Sequence, residues 1–335
     1  MPFISLEAVQ SNLLSPMVLS FYLGVLAVFL KSDLKLPGNM YEGLSLYLLL
    51  ALGLKGGMYL SQTNLSLLVL PVFVTLSLGM ILPLIAFSIA RGLGKLSRPD
   101  SAALAAHYGS VSIVTFIATQ VYVEGLGHKG EGFMPALVTL LEVPGIVIAL
   151  LLAQKKGSKQ EVLIAEKPGT LGQRIYTLLV SKSILVLLGG LLIGTISGPQ
   201  GIKPIEPFFI TPFQGALVLF MLDLGLVAGQ RLGDLRHIKG FMTLYAIMVP
   251  LINGSIGVLG GSLIGLSVGG AAILGAMAAS ASYIAAPAAV RVFIPEANPA
   301  YYITSSLVIT FPFNLSLGIP LYFELSLWAS KFFGS

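Results

Sequence analysis

The chain has 335 residues, 56% of them hydrophobic and only 10% charged, with a mean hydropathy of +0.92. Soluble domains carry about 25% charged residues, so this composition excludes a soluble globular protein and describes a chain that crosses a membrane many times. The net charge of +5 gathers in loops between apolar runs, which argues against a nucleic-acid-binding face, and the absence of Cys excludes disulfides and thiolate chemistry.

A crossing helix needs roughly 20 apolar residues. The hydropathy predicts ten spans, at 10–30, 41–60, 66–91, 100–124, 133–154, 178–198, 208–230, 240–266, 269–294 and 301–329. The N-terminus lacks the basic region of a signal peptide, so the first run is expected to remain as a span. Alternate loops collect Lys31 and Lys35; Arg91, Lys95 and Arg98; Lys155, Lys156, Lys159, Lys167 and Arg174; Arg231, Arg236 and Lys239; and Arg291. The opposite face shows only Lys129, Lys203 and Lys331. The positive-inside rule then predicts a plasma-membrane protein with basic loops in the cytoplasm and both termini outside. Such loops also suit anionic lipid headgroups or a cytoplasmic partner.

Two segments interrupt long apolar runs near their middles: Gly109-Ser110-Val111-Ser112 and Ala279-Ser280-Ala281-Ser282. Unpaired backbone groups cost several kcal/mol in hydrocarbon, so such a break is tolerated only where protein or water satisfies it. Breaks at matching points of two halves mark a transporter site at the bilayer midplane. The halves match elsewhere too. Leu50-Ala51-Leu52-Gly53-Leu54-Lys55-Gly56-Gly57 lies over Leu222-Asp223-Leu224-Gly225-Leu226-Val227-Ala228-Gly229, and Leu137-Val138 over Leu307-Val308. Each half holds five spans, an odd number, so the two must enter the membrane in opposite senses. The sequence predicts an all-α membrane protein of ten transmembrane helices in two inverted five-helix repeats, with discontinuous fourth and ninth helices. Residues 1–154 form the first repeat, 155–177 a cytoplasmic linker ending in a short interfacial helix from Leu171 to Leu179, and 178–335 the second repeat.

Where a helix restarts after a break, its first N–H groups lack partners and the dipole leaves partial positive charge. A small anion is held well there, so Gly109, Ser110, Val111, Ser112, Ala279, Ser280, Ala281 and Ser282 are the expected anion site, the serines adding hydroxyl donors. Ionisable residues inside spans are functional candidates by default; here they are Lys55, Glu142 and Asp223, with His107 just before the first break. Glu142 precedes Pro144, which frees carbonyl oxygens beside a carboxylate. Sodium takes oxygen ligands, and Thr139, Glu142, Thr310 and Asn314 are expected to supply them, with Thr115 and Asp223 as further candidates. The competing expectation for Lys55 is an internal ion pair with Asp223 or Glu142, and for His107 a packing role rather than a pH-sensitive gate.

No Gly-rich phosphate loop of the Walker type is present, which argues against direct ATP drive. Three scattered His and no Cys argue against a structural zinc site. No enzyme activity and no cofactor are expected beyond sodium as the coupling ion.

Gly53-Leu54-Lys55-Gly56-Gly57-Met58, the Gly109-to-Ser112 break, Glu142-Val143-Pro144 and Ile294-Pro295-Glu296-Ala297-Asn298-Pro299 resemble, in the same order, the sodium-dependent bicarbonate transporters first known from cyanobacteria. The resemblance implies gate and core domains each drawn from both repeats, a homotrimer, sodium-coupled bicarbonate import with the anion between the breaks, and a PII-like regulatory protein on the cytoplasmic face. Three features depart from the family pattern: Tyr283 stands where an acid is usual, Lys55 where Thr is usual, and the linker is short. The residues leave open a sodium- or proton-coupled transporter of another small anion or carboxylate, and a passive anion channel.

Overall fold

The computed structural model describes residues 12–153, 182–237, 240–283 and 285–333, together with residues 10, 173, 176 and 180. Every regular element among them is helical. The main helices are α1 (Pro16–Phe29), α2 (Gly38–Leu60), α3 (Val69–Gly92), α4 (Arg98–Tyr108), α5 (Ile113–Gly125), α6 (Met134–Ala153), α7 (Lys182–Ile202), α8 (Phe213–Gln230), α9 (Gly240–Leu263), α10 (Val268–Ala279), α11 (Ala285–Phe293) and α12 (Pro299–Phe333). Among the described residues each run expected from hydropathy contains helix, and the fourth and ninth runs are interrupted at 109–112 and 280–283. Among the described residues eight helical stretches are long and apolar enough to cross a membrane, counting α4 with α5 as one; α1 and α10 are shorter apolar helices. The expected linker and interfacial helix lie outside the described residues, apart from Gln173 and Tyr176.

Small polar residues set the helix starts. Ser15 caps α1 with Pro16 at its first position, Ser97 accepts the Asp100 N–H at the head of α4, Ser267 accepts the Gly270 N–H at the head of α10, and Asn298 accepts the Ala300 N–H ahead of α12. The sixth expected span bends sharply at Gly198, whose φ of +59° leaves the helical region just before Pro199. The last span contains two π-helical stretches, Ser305–Thr310 and Asn314–Gly318. Such wider turns recur at functional sites because they disturb the regular pairing of carbonyls.

The helices pack in two sets. Helix α2 lies along α7 and α1 along α8, while α3, α4 and α6 pack on one another and α9, α10 and α12 do the same; α5 lies against α10. The first set is held by backbone-to-backbone approach. A Cβ on Gly53 would stand 2.6 Å from the Leu187 carbonyl of α7, and one on Gly225 would collide with the Phe21 carbonyl of α1. Lipid tails offer helices no hydrophobic reason to associate, so close packing through small residues supplies the attraction. Gly53 and Gly225 are the aligned glycines of the two matching octapeptides.

Candidate functional site

The first break is shaped by its neighbours. Helix α4 stops at Tyr108 with Gly109 as its cap, and Gly109 donates to the Ala105 carbonyl at 2.9 Å. Gly109 sits between Pro83 of α3, which a Cβ would meet at 2.5 Å, and Gly145 of α6, where a side chain would collide with the Gly109 carbonyl. Ser110 Oγ donates to the Glu142 carbonyl at 3.2 Å, and Ser112 Oγ accepts the Thr115 N–H at 3.2 Å to start α5. In the second break, Ser280 Oγ donates to the Met277 carbonyl at 2.7 Å and Ser282 Oγ accepts the Ala286 N–H at 3.2 Å.

The two breaks meet. The Ser112 N–H donates to Ser280 Oγ at 2.8 Å, Ser112 Oγ donates to the Tyr283 hydroxyl at 3.1 Å, and the Ser282 N–H donates to the His107 carbonyl at 2.8 Å. Ser110, Ser112, Ser280 and Ser282 are all buried. The Ser112, Ser280 and Ser282 oxygens cap helices or tie one break to the other and Ser110 Oγ is held by the Glu142 carbonyl, so they are less free as ligand donors than the sequence suggests. The backbone supplies what the hydroxyls do not. Among the described residues the N–H groups of Ser110, Val111, Ala281 and Tyr283 have no acceptor, and those of Ile113 and Val114 open α5, where the helix provides none. Unfilled donors along a buried seam, with a helix dipole behind them, are groups of the kind that can hold a small anion.

The expected cation ligands divide. Glu142 is 2% exposed and Thr139, one turn before it on α6, is 4% exposed; Glu142 Oε2 and Thr139 Oγ1 both lack a hydrogen-bond partner. Through Ser110 this pair adjoins the first break. Thr310 and Asn314 are buried but engaged elsewhere. Thr310 Oγ1 donates to the Ala246 carbonyl at 2.6 Å and pairs with the Tyr108 hydroxyl at 2.8 Å. Asn314 donates to the Ala279 carbonyl at 3.1 Å and accepts from the Tyr322 hydroxyl at 3.1 Å. Thr115 is buried behind the Ser112 cap, and its carbonyl accepts the Thr119 hydroxyl at 2.7 Å. Asp223 is half-buried on α8, within electrostatic reach of Tyr41, and no hydrogen bond ties it to either break.

The ion pair expected between Lys55 and Asp223 or Glu142 is not formed. Among the described residues the ion pairs are Lys182–Glu42 at 2.7 Å and Arg231–Asp234 at 3.7 Å, both toward the surface. Lys55 points instead into a cavity between α2, α5 and the head of α8. His107 is held by packing and one ring hydrogen bond, while its buried Nε2 has no partner. It is fully buried, bonds the Ala103 carbonyl through Nδ1 at 2.7 Å and lies 4.6 Å from the Tyr302 ring, while its own carbonyl anchors the second break.

Sequence reasoning missed the residues that brace the breaks from outside. Tyr108 joins Thr310, and its carbonyl accepts from Asn253 at 3.2 Å; Tyr322 locks Asn314. The available signal was an Asn or Tyr placed within otherwise aliphatic spans, because a buried polar group needs a partner.

No curated protein matches this sequence. Residues 16–327 match the Na+-dependent bicarbonate transporter superfamily, nearly the whole chain, and this multi-pass membrane protein therefore belongs to that family of transporters.

Proposed function

We propose that this chain is a secondary active transporter that imports bicarbonate with sodium by alternating access, the anion being held between the breaks at Gly109–Ser112 and Ala279–Ser282. The observation that carries the reading is the direct bond from the Ser112 N–H to Ser280 Oγ, which brings two breaks distant in sequence to one buried point surrounded by unfilled N–H donors. Sodium binds at Glu142 and Thr139, where a cation would satisfy a carboxylate oxygen and a hydroxyl that lack partners. Its charge next to the first break favours anion binding, which couples the two solutes.

The accompanying architecture is ten spans in two inverted five-helix repeats. It is supported by the equivalent use of Gly53 and Gly225 in packing α2 on α7 and α8 on α1. The helix set α1, α2, α7 and α8 acts as the gate domain, and the set carrying the breaks acts as the core that rocks against it. Both termini lie outside a plasma membrane, the protein assembles as a homotrimer, and a PII-like regulator docks on the basic cytoplasmic face. Cysteine labelling at Lys203 and Arg236 in this Cys-free chain tests the orientation, since an impermeant reagent should reach only the Lys203 position from outside.

Tyr283 supports a second reading. A phenol between the breaks is a neutral donor and acceptor, which suits another small anion or carboxylate moved with sodium or protons. Uptake of radiolabelled bicarbonate into proteoliposomes separates these readings. Saturable accumulation driven by a sodium gradient is expected. Flux that ignores the gradient and does not saturate would identify a channel, and no flux of bicarbonate alongside uptake of another anion would select the second reading.

A further inference from the structure

A cavity of about 180 Å³ lies between α2 and α8 on one side and α5 on the other, away from the breaks. Its mouth is formed by the exposed residues Glu124, Thr211 and Gln214, and its floor by the buried Ala51 and Ile117. Ile117 stands one turn beyond the start of α5, so the floor of the cavity adjoins the helix whose N-terminus forms the first break. Half-buried within it is Lys55, and among the described residues its ammonium makes no hydrogen bond and no ion pair. Glu124 lines the same cavity but is exposed at the rim, where it accepts from Gln120 Nε2 at 3.0 Å.

A cation inside a span is costly unless paired, so one left unpartnered toward a water-sized opening is a functional feature. Clefts with low-dielectric walls focus the field of such a charge and raise the local concentration of its counter-ion. We propose that this cavity is a second anion-binding site, a vestibule in which Lys55 collects a small inorganic anion before it reaches the serine breaks. Gln214 adds a neutral amide donor at the mouth, and the volume admits a small oxyanion with part of its water shell. Its role as a staging point rests on the anion-transport reading above, whereas its preference for anions does not.

The test has two arms. In the first, Thr211→Cys places a single thiol at the mouth, and its modification rates by an anionic sulfonate and a cationic ammonium thiosulfonate reagent are compared. Adding Lys55→Gln should lower the anionic-to-cationic rate ratio about tenfold at low salt, and Lys55→Arg should leave it near its original value. High salt should shrink the difference. A ratio that Lys55→Gln does not change overturns the proposal, whether or not the protein carries bicarbonate. In the second arm, Lys55→Gln should raise the half-saturation concentration for bicarbonate uptake about tenfold while maximal flux is retained, and Lys55→Arg should restore it. Unchanged half-saturation in a variant that still takes up bicarbonate removes the staging role alone. If the unmodified protein takes up no bicarbonate, the transport reading fails, and the reagent ratio still decides whether the cavity selects anions.

Discussion

Ser112 Oγ donates to the Tyr283 hydroxyl at 3.1 Å, a side-chain bond that spans the two helix breaks. The Tyr283 ring packs edge-on against Phe311 at 5.3 Å, and Phe311 in turn against Phe21 of α1 at 5.3 Å. The phenol therefore links the serine seam to the facing helix set through aromatic contacts. Tyr283→Phe keeps the ring packing and deletes one buried hydrogen bond, worth about 1 kcal/mol. The half-saturation concentration for the transported anion should change about fivefold, read from concentration-dependent uptake, with a small fall in thermal stability. A variant with unaltered uptake kinetics would show that the phenol has no part in anion binding.

Gly145 has no room for a methyl group, because a Cβ there would collide with the Gly109 carbonyl at the first break. Gly145→Ala must push α6 away from the break, and overpacking of this kind costs about 1–3 kcal/mol. Uptake should be lost or nearly so, with a lowered melting temperature in detergent. Gly92→Ala, at a helix end with open space around it, should do neither.

Glu142→Gln preserves the shape of the buried side chain and removes its charge. The sodium concentration for half-maximal uptake should rise at least about tenfold, consistent with loss of a charged ligand interaction of about 1.5–3 kcal/mol. The effect on the anion at saturating sodium should be smaller. If Asp223→Asn abolishes the sodium dependence and Glu142→Gln spares it, the cation site belongs on α8.

Asn314→Leu removes the partner of the Ala279 carbonyl and of the Tyr322 hydroxyl together. Each buried group left unpaired costs about 1–3 kcal/mol. The variant should unfold at a clearly lower temperature than the parent, as followed by thermal denaturation in detergent. Retained stability would mean that water or a shifted side chain replaces the amide.

Glu131 accepts the Ser267 N–H at 2.7 Å and so ties the loop before α6 to the head of α10. Glu131→Gln keeps an acceptor but loses the negative charge at a helix N-terminus, worth about 0.3–1 kcal/mol. Glu131→Ala also loses the bond. Melting temperatures should therefore fall in the order parent, Gln, Ala, and equal values for the two variants would assign the whole effect to the hydrogen bond.

The sequence alone determined the all-helical membrane class and the location of the two breaks within apolar runs. The reason is local: apolar runs must be helical in hydrocarbon because the backbone has no other partner there. The recurrence of Gly109–Ser112 as Ala279–Ser282 pointed to a paired site because small polar residues are costly at that depth without a purpose.

Only the tertiary structure decided what each site residue touches. Ser280 meets Ser112 across more than half the chain, Thr310 and Asn314 turn to Tyr108 and Ala279 rather than joining Glu142, and Lys55 faces a cavity instead of a carboxylate. Hydropathy carries no information on such pairings. Several of the helices carry more than one polar side chain, and the rotation of each helix about its axis, set by close contacts such as Gly145 on Gly109 and Gly53 on Gly190, selects which of them meet.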